Sequence, residues 1–414
     1  MENNIKKSFF WNTLGSGFAA INSLFFLIIV TRINGTKIAG IFTLCYATAC
    51  LIYIIAVYSG RTYQVTEIDN KISDNDYIIS RIVTCFVALL CTVIFAFINH
   101  YHGIKIYVLF LLCLLRTLEA LSDVFHGVLQ KNSRLDLVGK SLFMRSLLNI
   151  LLFLVIDYIL KDLVIACLAM VLSNIVVLLF YDLRLSNRYR NKNKKTSFIN
   201  LKTIFLAGFY TFGFTFLSNY LINIPRYSID HYLAESYQTI FGIIVMPGTF
   251  IILVSQFIIQ PFIMKLKNLH DSNKSKEYNS LVNKILISIL LIGVIFIIGA
   301  YIFGIHILEF MYGINLKKYL ISLLIVLTGT ISYALCTVIS ASLVVLRKTK
   351  IQLIIYVISL VSGILISYLL VKMYSFIGGV FSYLIIMMIL TTLYIAYYLI
   401  VIKNKKNWDV ITNN

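Results

Sequence analysis

Long apolar runs follow one another along the whole chain, separated by short polar stretches. Each run has about 20 residues, the length that a helix needs to cross the hydrocarbon core of a bilayer. The runs are continuous and lack the apolar–polar alternation of a barrel strand, so they predict helices. Twelve spans are predicted, at residues 9–31, 38–60, 78–98, 106–129, 141–160, 163–183, 203–224, 237–261, 285–308, 320–346, 351–371 and 376–402.

The fourth run carries a stripe of polar residues. The stripe consists of Arg116, Glu119, Asp123, His126 and Gln130. At 100° per residue these side chains occupy about 80° of one helix face. A rise of about 1.5 Å per residue puts Arg116 near the membrane midplane. Charges at that depth are costly unless they face water or a partner, so the stripe indicates a functional pathway.

Two interpretations of this stripe stay open. Arg116 and Glu119 are three residues apart and can form an ion pair, which on its own would only fix the register of the helix. A polar face that extends over five residues favours instead a wet cavity inside a transporter.

Composition and charge exclude a soluble protein. Hydrophobic residues make up 60% of the chain and charged residues only 13%, against about 25% in soluble proteins. The net charge is +19, and about 27 of the 36 lysine and arginine residues fall on one side of the predicted membrane. By the positive-inside rule both termini are cytoplasmic, in a multi-pass protein of the cell (inner) membrane. The positive charge then reflects cytoplasmic loops, and no nucleic-acid partner is expected.

The chain is predicted to divide at its most basic connection. Residues 1–183 form an N-terminal six-helix lobe, 184–202 a basic cytoplasmic linker, 203–402 a C-terminal six-helix lobe and 403–414 a cytoplasmic tail. The fold class predicted is an all-α polytopic membrane protein with about 12 transmembrane helices, in two lobes around a central cleft. That arrangement is common among transporters.

Further basic residues lie near the ends of spans, among them Arg61, Arg81 and Arg226. A planar guanidinium suits a phosphate because it makes two charge-assisted hydrogen bonds at once. Snorkelling of these side chains to the lipid headgroups is the alternative. Arg226 favours a binding role because Asn219 and Asn223 share its helix face.

Proline and cysteine add two expectations. Pro225 is expected to break or kink the seventh helix. All 7 cysteines fall inside predicted spans and none has a metal-ligand spacing, so neither disulfides nor a metal site is expected. No ATPase or hydrolase motif is present, so we expect neither an enzyme nor a bound cofactor.

Several segments of the chain are similar to those of a known family: 59–66 with 77–81, 118–131 with 134 and 139–141, 223–230 and 241–247. They resemble Wzx-type polysaccharide flippases, a branch of the multidrug/oligosaccharidyl-lipid/polysaccharide exporter superfamily. The resemblance implies a V-shaped cleft with a basic lumen, and the lumen positions of the family match Arg61, Arg81, Arg116 and Arg226 here. The first helix has no mid-span arginine of the kind that lipid II flippases carry.

The resemblance also implies a substrate and partners. The substrate would be an oligosaccharide repeat unit of O-antigen, capsule or exopolysaccharide, linked to undecaprenyl diphosphate. It would move from the cytoplasmic to the outer leaflet by alternating access. The bilayer, a polysaccharide polymerase and the chain-length machinery would be the partners.

Transport without ATP needs an H⁺ or Na⁺ gradient, and the fourth helix offers titratable groups for coupling. Glu119, Asp123 and His126 are the candidates. Asp123 is favoured because Glu119 is the nearer partner of Arg116. The alternative is that Asp123 only caps a cytoplasmic water network.

Two other functions are weighed against the flippase. A multidrug or cation antiporter of the same fold would need an acidic binding site, which a mid-membrane Arg116 argues against. A membrane glycan polymerase would be expected to present a large external loop, and the predicted external connections are short.

Overall fold

Helices make up almost the whole of the described chain. A computed structural model describes residues 2–58, 60–66, 72–190 and 196–403, and the predicted all-α fold class is confirmed. The α-helices are α1 Glu2–Val57, α2 Gly60–Thr66, α3 Asp74–Ile98, α4 Ile104–Lys131, α5 Leu135–Leu160, α6 Leu163–Val177, α7 Arg184–Tyr189, α8 Phe198–Tyr232, α9 Glu235–Ile259, α10 Ile263–Asp271, α11 Ser275–Gly299, α12 Ile305–Tyr312, α13 Leu320–Val345 and α14 Thr349–Lys403.

The predicted spans correspond to these helices. Among the described residues, nine helices are long and apolar enough to cross a membrane. Two of the nine helices each contain two predicted spans: α1 is interrupted at Gly35, where φ is 76°, and α14 at Ser375, where φ is 53°. Both positions fall in connections predicted from the sequence. Helix α4 has 28 residues and corresponds to the remaining predicted span. It is not among the nine because the charged residues of its stripe make it too polar.

The chain divides into two compact units, Met1–Phe216 and Leu217–Asn414. The limit between them lies within α8, so this helix contributes to both. Our lobes at 1–183 and 203–402 stay a prediction. Part of the predicted linker (191–195) and nearly all of the predicted tail (404–414) lie outside the described residues.

Glycine brings α1 and α5 unusually close together in the first unit. A Cβ on Gly139 would lie 2.2 Å from the backbone of Trp11, and a Cβ on Gly15 would lie 2.2 Å from the carbonyl oxygen of Gly139. Only hydrogen fits at these positions, because backbone atoms of a packed helix cannot move aside individually. The contact fixes α5 against α1 and so positions the polar residues that follow Gly139.

Pro225 was predicted to break or kink its helix, and α8 runs through it without a break. Proline removes one backbone donor, but neighbouring groups in a membrane protein make this loss tolerable. Close by, the hydroxyl of Ser228 donates to the carbonyl of Pro225 at 3.0 Å. Pro247 lies inside α9 in the same way. At Pro261 the helix does change, into a 3₁₀ turn between α9 and α10.

Candidate functional site

A polar cavity of about 190 Å³ lies inside the first unit, between α1, α4 and α5. Four members of the α4 stripe line it: Arg116, Glu119, Asp123 and His126. The polar and aromatic side chains around them are Asn22, Tyr46, Tyr53, Arg145, Ser146 and Asn149. The helical spacing read from the sequence therefore brings these four residues together. Gln130, the fifth member of the stripe, is not part of the lining.

Arg116 is held on three sides. Its Nη1 donates to Glu119 Oε2 at 2.6 Å, so the ion pair considered from the sequence is present. Its Nη2 donates to the hydroxyl of Tyr46 at 2.5 Å and lies 3.3 Å from the sulfur of Cys50. The guanidinium also lies over the Tyr46 ring, 4.7 Å from the centroid. Its buried Nε–H has no acceptor among the described residues.

Asp123 lies between two arginines from different helices. The carboxylate is 3.4 Å from Arg81 Nη2 and 3.7 Å from Arg61 Nε. Arg81 also donates to the carbonyl of Ala56 at 3.2 Å, and only 6% of its side chain is exposed. Snorkelling therefore does not explain Arg81. Arg61 keeps 29% of its side chain exposed, so this guanidinium is accessible to a ligand.

Sequence reasoning missed the residue at the centre of a second network, Asp182. Its Oδ2 accepts from Arg145 at 2.7 Å. Its Oδ1 accepts from Ser141 at 2.6 Å and lies 3.2 Å from His126 Nε2. Arg145 also donates to Ser122. All five side chains are buried, so these hydrogen bonds replace the water that the charges and hydroxyls lose on folding, although Arg145 Nε has no acceptor among the described residues.

The charges around the cavity do not cancel. Arg116, Arg145, Glu119 and Asp123 line the cavity and balance one another in charge. Outside the lining, Arg61 and Arg81 contact Asp123, and Asp182 contacts Arg145, so the charged groups in and next to the cavity include four arginines and three carboxylates. Such a cavity attracts an anion, because the surrounding apolar helices screen its field less than water would.

Three predicted site residues belong to the other unit. The guanidinium of Arg226 lies 5.5 Å from the centroid of the Phe241 ring, and its backbone carbonyl accepts from Gln238 at 2.6 Å. Asn223 donates to the carbonyl of Asn219 at 2.9 Å, one turn earlier in α8. The substrate and coupling roles of all nine predicted residues stay predictions. Within the described residues, no group of three or more His, Cys, Asp or Glu side chains could hold a metal ion.

The chain was compared with protein families, with curated proteins and with solved structures. No family model matches the chain. A capsular polysaccharide biosynthesis protein, CapF of Staphylococcus aureus, is 22% identical over 379 residues, which cover 90% of this chain and 94% of the relative.

Two solved structures cover nearly the whole chain. One is the inward-facing conformation of a multidrug resistance MATE family transporter of the MOP superfamily, with a TM-score of 0.72, 13% identity and coverage of 96% of both chains. The other is the lipid II flippase MurJ in an inward closed conformation, with a TM-score of 0.69, 15% identity and coverage of 99% of this chain and 89% of that one. The chain is thus a multi-pass membrane protein with the twelve-helix fold of these transporters.

Proposed function

We propose that this chain is a flippase for undecaprenyl-diphosphate-linked oligosaccharides, the repeat units of a capsule, O-antigen or exopolysaccharide. It moves them by alternating access from the cytoplasmic to the outer leaflet of the cell membrane, with both of its termini in the cytoplasm. The observation that carries this proposal is the excess of arginines over carboxylates among the charged groups in and next to the cavity around Arg116. The proposal is of a Wzx-type transporter, without enzymatic activity and without a bound cofactor.

The cavity is suited to a diphosphate in charge and in geometry. Arginine binds phosphate oxygens through two parallel hydrogen bonds, and the Nε–H of Arg116, which is buried without an acceptor among the described residues, would gain one if the side chain turned towards a bound phosphate. The side chains of Arg61 and Arg116 are 29% and 20% exposed, so an anion can reach them without unfolding the unit. The prenyl chain of the substrate would stay in the apolar core of the bilayer throughout, so no apolar surface would have to enter water.

The carboxylates argue against a site for cationic drugs. Glu119 is paired with Arg116, Asp123 with Arg61 and Arg81, and Asp182 with Arg145. A cation would have to displace an arginine from each of them, which leaves a buried charge unpaired.

The relatives support the same reading. CapF is named for capsular polysaccharide biosynthesis, and MurJ is a flippase for lipid II. The first name refers to polysaccharide biosynthesis and the second to the flipping of a lipid, whereas the MATE transporter is described by multidrug resistance. A polymerase and chain-length machinery would act on the product, and an H⁺ or Na⁺ gradient would drive the cycle.

Binding to the purified protein in nanodiscs tests the proposal. Undecaprenyl diphosphate should bind at least about tenfold more tightly than uncharged undecaprenol, and added NaCl should reduce that preference. Arg116→Ala should abolish the preference, whereas Arg188→Ala, at an exposed position on α7, should not. Equal binding of the two lipids, or tighter binding of an organic cation such as ethidium, would contradict a flippase for anionic lipids.

A further inference from the structure

The second unit contains a cavity walled mainly by tyrosines. Its volume is about 180 Å³, and its lining consists of Tyr220, Ile224, Tyr227, Ile364 and Tyr368. The first three come from one face of α8, at spacings of four and three residues, and the other two from α14. All five residues are uncharged, so this cavity differs in kind from the one around Arg116.

The aromatic rings form an angled wall around the cavity. The rings of Tyr220 and Tyr227 are 5.5 Å apart between centroids and tilted by 31°. Across from them, the ring of Tyr368 is braced by His231 at 5.7 Å and by Tyr232 at 6.0 Å. The wall can therefore present aromatic faces to a bound group from two sides.

A chain of buried hydroxyls fixes the two helices at the level of this cavity. Ser228 Oγ lies 2.6 Å from Ser367 Oγ, which lies 3.0 Å from Ser382 Oγ. Ser228 follows Tyr227 in the chain and Ser367 precedes Tyr368. The hydrogen bonds thus hold the tyrosine backbones in place, and a ligand would meet a preformed cavity.

Anchoring of tyrosines at the membrane surface does not explain this arrangement. Anchoring rings project outwards, as do those of Tyr301 and Tyr374, which are 62% and 58% exposed. Tyr227 is only 8% exposed and Ile224 only 1%. The cavity therefore reaches into the unit between its helices.

We propose that this cavity binds one sugar ring of the transported glycan, an inference that rests on the proposed flippase function. The faces of a pyranose present C–H groups, which pack well against the electron-rich faces of aromatic rings. Tyrosine hydroxyls both donate and accept hydrogen bonds, as sugar hydroxyls do. An uncharged lining suits a neutral sugar and would hold a diphosphate poorly.

The position along the helices fits a site near the outer leaflet. Tyr220 and Tyr227 lie about 33 and 44 Å along α8 from Phe198, and Tyr368 lies about 29 Å along α14 from Thr349. In the orientation predicted from lysine and arginine, both helices begin in the cytoplasm. The glycan would meet these tyrosines on its way out.

The contribution of the sugar can be measured separately from that of the diphosphate. We would compare the affinities of undecaprenyl diphosphate with and without one N-acetylglucosamine, for purified protein in nanodiscs. For the unmodified chain, the sugar should increase affinity about fivefold or more. In Tyr368→Leu or Tyr220→Leu this ratio should fall to about one, with the affinity for the bare lipid unchanged. Tyr368→Phe should keep most of the ratio, because the ring remains.

Tyr301→Leu is the matched control, since it removes an equally large ring from a lipid-facing position and should leave the ratio unchanged. A ratio of one in the unmodified chain, or a ratio that survives both leucine variants, would overturn the sugar site while leaving the flippase intact. Failure of both lipids to bind the unmodified chain would instead contradict the proposed function. Equal weakening of both lipids in Tyr368→Leu would show that the ring only supports the fold.

Discussion

Arg145 and Asp182 are 37 residues apart in the chain and form a buried ion pair, with 2.7 Å between Nη2 and Oδ2. The pair joins α5 to the π-helical turn Leu178–Leu183 that follows α6. Less than a tenth of either side chain is exposed. Two such charges cannot regain the hydration that they lose on folding, so each depends on the other.

Breaking this pair should destabilise the protein strongly. Asp182→Leu leaves the Arg145 charge buried without its partner, a change that costs about 3–5 kcal/mol in comparable cases. The loss should appear as a lower melting temperature of the detergent-solubilised protein, followed by size-exclusion chromatography. Lys274→Ala breaks an exposed pair with Glu277 and should change the melting temperature little. Equal effects of the two substitutions would contradict a structural role for the buried pair.

Sequence patterns predicted the helices better than the contacts between them. The α4 stripe was readable because helical spacing alone puts Arg116, Glu119, Asp123 and His126 on one face. Asp182 had no comparable signal: it stands alone at the end of an apolar run, next to basic residues that resemble a cytoplasmic linker. Its partners come from α4 and α5, and pairing across helices depends on tertiary packing that no local period encodes.

The positions of the helix breaks could likewise be predicted only partly from the sequence. The breaks at Gly35 and Ser375 fall where polarity interrupts the apolar runs. The uninterrupted passage of α8 through Pro225 depends on its surroundings, which the local sequence does not reveal.

Gly139→Ala should weaken the packing of α1 against α5. The added methyl group would lie 2.2 Å from backbone atoms of Trp11, so the helices must separate. Overpacking of this kind costs about 1–3 kcal/mol, which a thermal melt in detergent would detect. Gly17→Ala is the matched control in α1: nothing lies within 4 Å of its Cβ, and alanine favours a helix. We expect Gly17→Ala to be neutral or stabilising, and a similar loss in both variants would contradict the close-contact argument.

Cysteine labelling should establish the orientation of the chain. In a cysteine-free variant, Ser133→Cys lies in the loop before α5, which is predicted to be cytoplasmic, and Ala234→Cys lies between α8 and α9, on the predicted outer side. Both positions are exposed. An impermeant thiol reagent applied to intact cells should label Ala234→Cys and spare Ser133→Cys until the cells are opened. The reverse pattern would invert the predicted topology and the direction of transport.

Arg116→Ala should abolish surface polysaccharide in cells that depend on this chain. The substitution removes the guanidinium that contacts Glu119 and Tyr46, together with its remaining donor. Arg116→Lys should restore surface polysaccharide only partly, because it keeps the charge and loses the planar group. Immunoblots of membrane fractions must show equal amounts of protein, and Arg188→Ala should behave like the unmodified chain. Normal polysaccharide with Arg116→Ala would reduce this residue to a packing role.

Asp123→Asn tests ion coupling. The carboxylate neutralises one of the two positive charges of Arg61 and Arg81, so its removal leaves two guanidiniums close together. Undecaprenyl diphosphate should then bind at least as tightly as to the unmodified chain and with a stronger dependence on salt. If Asp123 carries the coupling ion, flipping in reconstituted vesicles should no longer respond to an H⁺ or Na⁺ gradient.

The exposed carboxylate of Glu277 provides the control, since Glu277→Gln should leave the response to the gradient intact. Binding and coupling are separable in this design, because the first is measured without a gradient and the second as the ratio of flipping rates with and without one. Stimulation that persists undiminished in Asp123→Asn would exclude Asp123. Glu119 and His126, which line the same cavity, would then be tested in turn by the same ratio of flipping rates.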